Sequence, residues 1–130
     1  SRTKNKRSHQ IQLSDQAQNI IQTLPRVEGQ TLLFTTNGTT AVSGFSKVKK
    51  RLDIISGVAD WRFHDLRRSF ATHSTERLGI SPVIADKILN HVTGQVRGVA
   101  ATYQHGEYLE ERRVALQKWG TFIQDSVADE

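Results

Sequence analysis

Three kinds of side chain in this sequence, histidine, arginine and tyrosine, could do chemistry on a phosphate ester. In His64-Asp65-Leu66-Arg67, His64 and Arg67 stand three apart. On a helix that spacing puts them on one face. It pairs a fixed guanidinium with a group that titrates near neutral pH. A helix start adds free N–H groups and partial positive charge, so this is a place for an oxyanion, phosphate above all. The plainer alternative is a surface histidine beside a salt-bridging arginine, and four residues alone favour it. His91 follows Ile88-Leu89-Asn90, where a histidine commonly just satisfies the last helix carbonyls. Tyr103 and Tyr108 are the only tyrosines. Each could pack in a core or act as a nucleophile, and a phenol with an ordinary pKa near about 10 needs activation for the second role.

Elements that would carry these residues follow from patterning. Arg2-Thr3-Lys4-Asn5-Lys6-Arg7 reads as a basic turn, and His9-Gln10-Ile11-Gln12-Leu13 alternates polar and apolar like a strand. Together they suggest the tip and second arm of a hairpin whose first arm is missing. Ser14 is an N-cap with Asp15 beside it, and Ala17, Ile20, Ile21 and Leu24 recur at helical spacing before Pro25 stops the helix. Thr31-Leu32-Leu33-Phe34 is a short strand candidate, and residues 35–44 a loop. Phe45, Val48, Leu52 and Ile55 form the apolar stripe of a second helix, otherwise covered by Lys47, Lys49, Lys50 and Arg51 and ended by Gly57. A third helix spans His64 to Leu78, with Gly79 at its C′ position. Ser81-Pro82 opens a fourth that runs to about Leu89. Residues 91–99 read as a loop. Glu107 to Gln124 forms a last amphipathic helix with Leu109, Leu116, Trp119 and Ile123 on one side, followed by an acidic, frayed tail at 125–130. The fold class is α+β, mainly α, with a small N-terminal antiparallel sheet.

Composition narrows the options. The chain has 130 residues, enough for one core. It has no cysteine, which excludes disulfides, thiolate metal sites and a cysteine nucleophile. No apolar run approaches a membrane span. The net charge of +5 is uneven: residues 1–68 hold 12 Lys/Arg against 5 Asp/Glu, whereas residues 69–130 hold 6 against 8. A basic half suits a polyanion-facing surface, although charge alone does not separate that from solubility. The chain lacks Met and opens at Ser1 inside what reads as structured sequence, which predicts a piece of a longer protein.

The order of these parts resembles the tyrosine recombinases, the phage integrase family. Phe63-His64-Asp65-Leu66-Arg67-Arg68-Ser69-Phe70-Ala71-Thr72-His73 is similar to the family's H-x-L-R-[RH]-[ST] box. Ile88-Leu89-Asn90-His91 resembles its L-G-H box, with Asn90 in place of the usual Gly. Ala101-Thr102-Tyr103-Gln104-His105-Gly106-Glu107-Tyr108-Leu109-Glu110-Glu111-Arg112-Arg113 is similar to the tyrosine segment. The resemblance covers nearly the full length and implies the helical catalytic domain that breaks and rejoins DNA, here residues 1–124.

That resemblance implies site-specific recombination of a phage or genomic island, by tyrosine attack on a phosphodiester to give a 3′-phosphotyrosyl bond and a free 5′-hydroxyl. It needs neither ATP nor a metal, so no cofactor is expected. Tyr103 corresponds to the nucleophile, with Tyr108 the rival. Arg67 corresponds to a bidentate clamp on the scissile phosphate, and His64 to its neighbour on the phosphate or the proton acceptor for the tyrosine. His91 corresponds to a donor to a non-bridging oxygen, and Lys4 to the general acid for the leaving 5′-oxygen. Arg68, Lys47, Lys49, Lys50, Arg51 and Arg62 become candidate contacts to the DNA backbone, His105 a phosphate contact or surface residue, and His73 a packing or surface residue. The implied partner is double-stranded DNA, with a homotetramer forming on it and no membrane. The implied location is the bacterial cytoplasm, on DNA.

The family also uses an arginine upstream of the hairpin, in a segment like A-R-x-x-E, and this chain has none. With five of six catalytic positions, these 130 residues are expected not to recombine DNA alone. A non-catalytic DNA-binding module of the same fold and a topoisomerase-like enzyme are the alternatives. A metal hydrolase is disfavoured, because His64, His91 and His105 lack carboxylates at ligand spacing.

Overall fold

The computed structural model describes residues 9–26, 28–29, 31–91 and 107–128. Five helices are present among them: α1 (Asp15–Thr23), α2 (Phe45–Ser56), α3 (Phe63–Glu76), α4 (Pro82–Ile88) and α5 (Leu109–Ala128). Each boundary has a local cause. Ser14 Oγ accepts from the Ala17 N–H at 3.3 Å and caps α1, and Leu24 is extended because Pro25 follows it. Gly44 and Gly57, both left-handed, bracket α2. The Asp65 carboxylate accepts from the Arg62 N–H at 2.8 Å and closes the start of α3. At the other end of α3, Gly79 (φ +62°) turns the chain so that Ile80 enters the core.

The core is a three-helix packing of α3, α4 and α5. Phe70, Ile80, Ile84, Ala85, Ile88, Leu89 and Ala115 are buried in it, with Leu78, Tyr108, Leu116 and Trp119 packed around them. Each large apolar side chain fully buried this way contributes about 1.5–3 kcal/mol. Phe70 meets Trp119 edge-on at 5.2 Å, which fixes α3 against α5. The stripe of α5 that faces inward is Arg112, Ala115, Leu116 and Trp119. Leu109 and Ile123, expected on that side, are exposed. The helix also continues past Gln124 to Ala128.

Among the described residues there is no strand, so the small N-terminal sheet is not supported. Residues 9–13 form neither helix nor strand and are held by side chains rather than a ladder. The His9 ring donates to the Ile88 carbonyl at 3.0 Å, Arg112 donates to the Gln10 carbonyl, and Gln18 donates to the Leu13 carbonyl at 3.1 Å. Thr31–Phe34 has one cross-chain bond, Val42 N–H to the Phe34 carbonyl at 2.9 Å, and Asn37 organises the turn that follows. An alternating segment becomes a strand only with a partner edge.

Helix α2 lies outside the core. Its stripe of Phe45, Val48, Leu52 and Ile55 stays exposed. It leans on the start of α3 through rings: Phe45 on Phe63 at 6.0 Å, and Phe63 on Trp61 at 5.4 Å.

Two backbone positions are set by tight constraints. Gly120 lies where α1 approaches α5, and a Cβ there would sit 2.7 Å from Ser14 Oγ and 2.9 Å from Ser14 Cβ. Gly120→Ala is therefore expected to destabilise. The clash costs about 1–3 kcal/mol, against a helix-propensity gain of about 1 kcal/mol. A rise in thermal midpoint would contradict this. Asn90 has φ +51° directly after α4. Asn90→Val should cost about 1–2 kcal/mol more than Asn90→Gly in urea unfolding, because the left-handed region excludes branched side chains.

Candidate functional site

The site is built at the carbonyl end of α4. The last carbonyls of a helix have no partner within it. Here each is satisfied by a specific donor. Ala85 O takes the Leu89 N–H at 2.9 Å, Asp86 O the His91 N–H at 3.0 Å, and Lys87 O the Asn90 N–H at 3.2 Å. The second and third of these bonds form a Schellman turn, which needs a left-handed residue at position 90. Asn is the commonest substitute for Gly in that conformation, so the departure from the L-G-H pattern keeps its geometry. Ile88 O takes the His9 ring, and Leu89 O takes a terminal nitrogen of Arg67.

The same turn folds His91 back over α4. Its Nδ1 lies 3.0 Å from Asp86 Oδ1, and its Nε2 lies 3.3 Å from Arg67 Nε. Arg67 can only donate, so His91 Nε2 accepts, and the ring proton sits on Nδ1 facing the Asp86 carboxylate. Arg67 is thus held by one carbonyl and one imidazole, and is half-buried. His91 remains exposed. His64 is exposed on the first turn of α3, three residues before Arg67. The structure therefore brings Arg67 and His91 into contact and places His64 on the Arg67 face of the helix. Arg67 with an imidazole at its side, at an open helix start, can bind an oxyanion through charge-assisted bonds.

Lys4 and Tyr103, together with His105 and the expected loop at residues 92–99, lie outside the described residues. The first described residues beyond each are anchored to the helices. The His9 bond ties the segment after Lys4 to α4. Arg112, buried at 2% exposure, donates to the Gln10 carbonyl and, at 3.3 Å, to the Glu107 carbonyl. One guanidinium thus joins the segment after Lys4 to the segment after Tyr103. Tyr108 packs against the core with φ +47°.

The basic residues divide. Lys47, Lys50, Arg51 and Arg62 are exposed, and Arg68 is 76% exposed with Asp65 at 3.5 Å. Lys49, expected with them, turns inward instead. Its ammonium lies 2.5 Å from Asp53, donates to the Ala59 carbonyl at 2.9 Å, and sits 4.5 Å from the Trp61 ring centre. A cation so satisfied braces α2 against the turn before α3. His73 packs on Phe122 at 6.0 Å. Away from the site, hydrogen bonds from Arg113 at 2.9 and 2.6 Å hold the Glu110 carboxyl below its usual range.

Asp86, His9 and Arg112 were not singled out in the sequence. For Arg112 a signal exists: it is in helical phase with Ala115, Leu116 and Trp119, so it falls on the buried stripe. Asp86 and His9 carry no such signal, because their partners are set by the turn and by contacts across the chain. No group of three or more potential metal ligands occurs among the described residues, and no helix there is long and apolar enough to cross a membrane.

Comparison with known proteins agrees with the motif order. The model of the phage integrase family matches residues 1–108. No curated protein and no solved structure gives a match. With most of its length matched, and with its His-x-x-Arg and Asn-His motifs meeting at one helix end, the chain belongs to the phage integrase family, whose general activity is site-specific DNA recombination.

Proposed function

We propose that the chain is the phosphate-binding and nucleophile-bearing part of a tyrosine-type site-specific recombinase acting on double-stranded DNA. The observation that carries this is the Arg67–His91 contact at the end of α4. It joins two motifs 24 residues apart at one open surface. In the proposed reaction the Tyr103 phenol attacks phosphorus as its proton passes to His64. The bond from phosphorus to the 5′-oxygen breaks, and Lys4 protonates that oxygen. The products are a 3′-phosphotyrosyl bond and a 5′-hydroxyl. Arg67 and His91 act on the non-bridging oxygens, where charge gathers in the transition state. One preorganised donor of this kind lowers the barrier by about 3 kcal/mol.

Two further features support the assignment. Tyr108 is partly buried against the core, which supports Tyr103 over Tyr108 for the chemistry. Lys47, Lys50, Arg51, Arg62 and Arg68 offer exposed cations for the DNA backbone, and such contacts position a protein without reading sequence. We also propose that the reaction needs the family's further arginine from outside these 130 residues, and that the recombining assembly is a homotetramer on DNA.

A nicked suicide substrate tests the assignment in protein that carries this chain together with its preceding sequence. Tyr103→Phe should abolish the covalent DNA adduct, whereas Tyr108→Phe should retain it. The reverse pattern would overturn the reading. The 130 residues alone should form no adduct. The backbone contacts are tested by salt-dependent binding to duplex DNA. Lys50→Ala and Arg51→Ala should each reduce the slope of log K against log salt by about 0.9. Lys49→Ala should leave the slope unchanged, because its charge is already satisfied within the protein.

A further inference from the structure

Asp86 has two roles in the turn after α4, one through its backbone and one through its side chain. Its carbonyl accepts the His91 N–H at 3.0 Å. Its carboxylate meets His91 Nδ1, also at 3.0 Å. Both side chains are partly exposed, at 44% for Asp86 and 43% for His91. Burial therefore does not force this contact. The Schellman turn imposes it, by carrying position 91 back over position 86. On the far side of the ring, Nε2 accepts from Arg67. The result is a directed chain, Asp86 to His91 to Arg67, ending where the phosphate is proposed to bind.

We infer that Asp86 is the positioning residue of the phosphate site: it places the His91 proton on Nδ1 and thereby keeps Nε2 turned toward Arg67. A neutral imidazole has one N–H and one lone pair. In a histidine without local partners the Nε2–H form is the commoner of the two. That form would set an N–H against the Arg67 Nε–H, so two donors would face each other and the ring would swing away. A carboxylate beside Nδ1 reverses the preference, as carboxylates do behind metal-binding and catalytic histidines. When a phosphate arrives and takes the Arg67 Nε–H, His91 is left beside it with Nε2 aimed at the oxygens. Uptake of one proton from water at Nε2 then lets the ring donate from Nε2 to the phosphate while Nδ1 continues to donate to Asp86.

This inference deepens the recombinase reading and rests on it only for the identity of the phosphate. Its first test needs no DNA. In the 130-residue chain with nitrogen-15 histidine, long-range proton–nitrogen spectra above the histidine titration range show which nitrogen carries the proton, with the His91 signals identified by their loss in His91→Gln. The expected result is an Nδ1–H ring for His91. Asp86→Ala should convert it to Nε2–H. Asp86→Asn should keep Nδ1–H, because the amide oxygen still accepts. An Nε2–H ring in the unsubstituted chain, or an unchanged Nδ1–H ring in Asp86→Ala, would overturn the inference. The second test is the adduct assay, in which Asp86→Ala should slow adduct formation about 10²-fold while duplex affinity stays within twofold and Asp86→Asn recovers most of the rate. An unchanged rate in Asp86→Ala would overturn the positioning role. Absence of any covalent adduct with the unsubstituted protein in the same assay would instead overturn the recombinase reading and leave the tautomer result standing.

Discussion

The carbonyl end of α4 is the fixed point of this molecule. A seven-residue helix has as many unsatisfied carbonyls at its end as a long one, and an unpaired buried carbonyl costs about 1–3 kcal/mol. Here the donors come from three parts of the chain: the turn itself, His9 near the start, and Arg67 on α3. Satisfying the helix end therefore gathers the segments that carry the chemistry. Arg67 gains a fixed position because a carbonyl needs it, and His91 because the turn carries it back. The structural requirement and the proposed functional one are met by the same atoms.

The rest of the fold serves that arrangement. The core of α3, α4 and α5 sets the distance between Arg67 and the α4 terminus. Arg112 extends the same logic to the other side. It is buried, and its guanidinium satisfies carbonyls on two segments separated by most of the chain. Such side-chain bonds hold residues 9–13 in place without a neighbouring strand. Helix α2 has a different status. Rings and the Lys49 bridge hold its base, while Lys47, Lys50 and Arg51 are exposed. Its phosphate-binding potential is thus separable from the stability of the core.

Much of this was legible in the sequence, for identifiable reasons. Ser14, Pro25, Gly57, Gly79 and Ser81-Pro82 mark helix ends through local backbone chemistry, which a sequence displays directly. The pairing of His64 with Arg67 follows from helical spacing. The sheet was not recovered, because alternation in His9–Leu13 reports a half-buried extended segment and not its partner. The expected stripe of α5 is right at Leu116 and Trp119 but not at Leu109 and Ile123, because the inward phase also takes Arg112 and Ala115, a charged residue and a small one that do not mark a buried face by type. Lys49 was grouped with its neighbours on the strength of charge, whereas Asp53 and Trp61 decide where it points. Asp86 was silent for a related reason: its role exists only once Asn90 adopts a left-handed conformation.

The central claim is that Arg67 and His91 form one phosphate site. Titrating duplex DNA into the labelled chain, while following the Arg67 Nε–H and His91 ring signals, tests this most directly. The two signals are expected to move together and saturably, as the Arg67 Nε–H leaves His91 for a phosphate oxygen. If duplex binding shifts only the α2 lysines and leaves the Arg67–His91 pair unchanged, the claim is wrong.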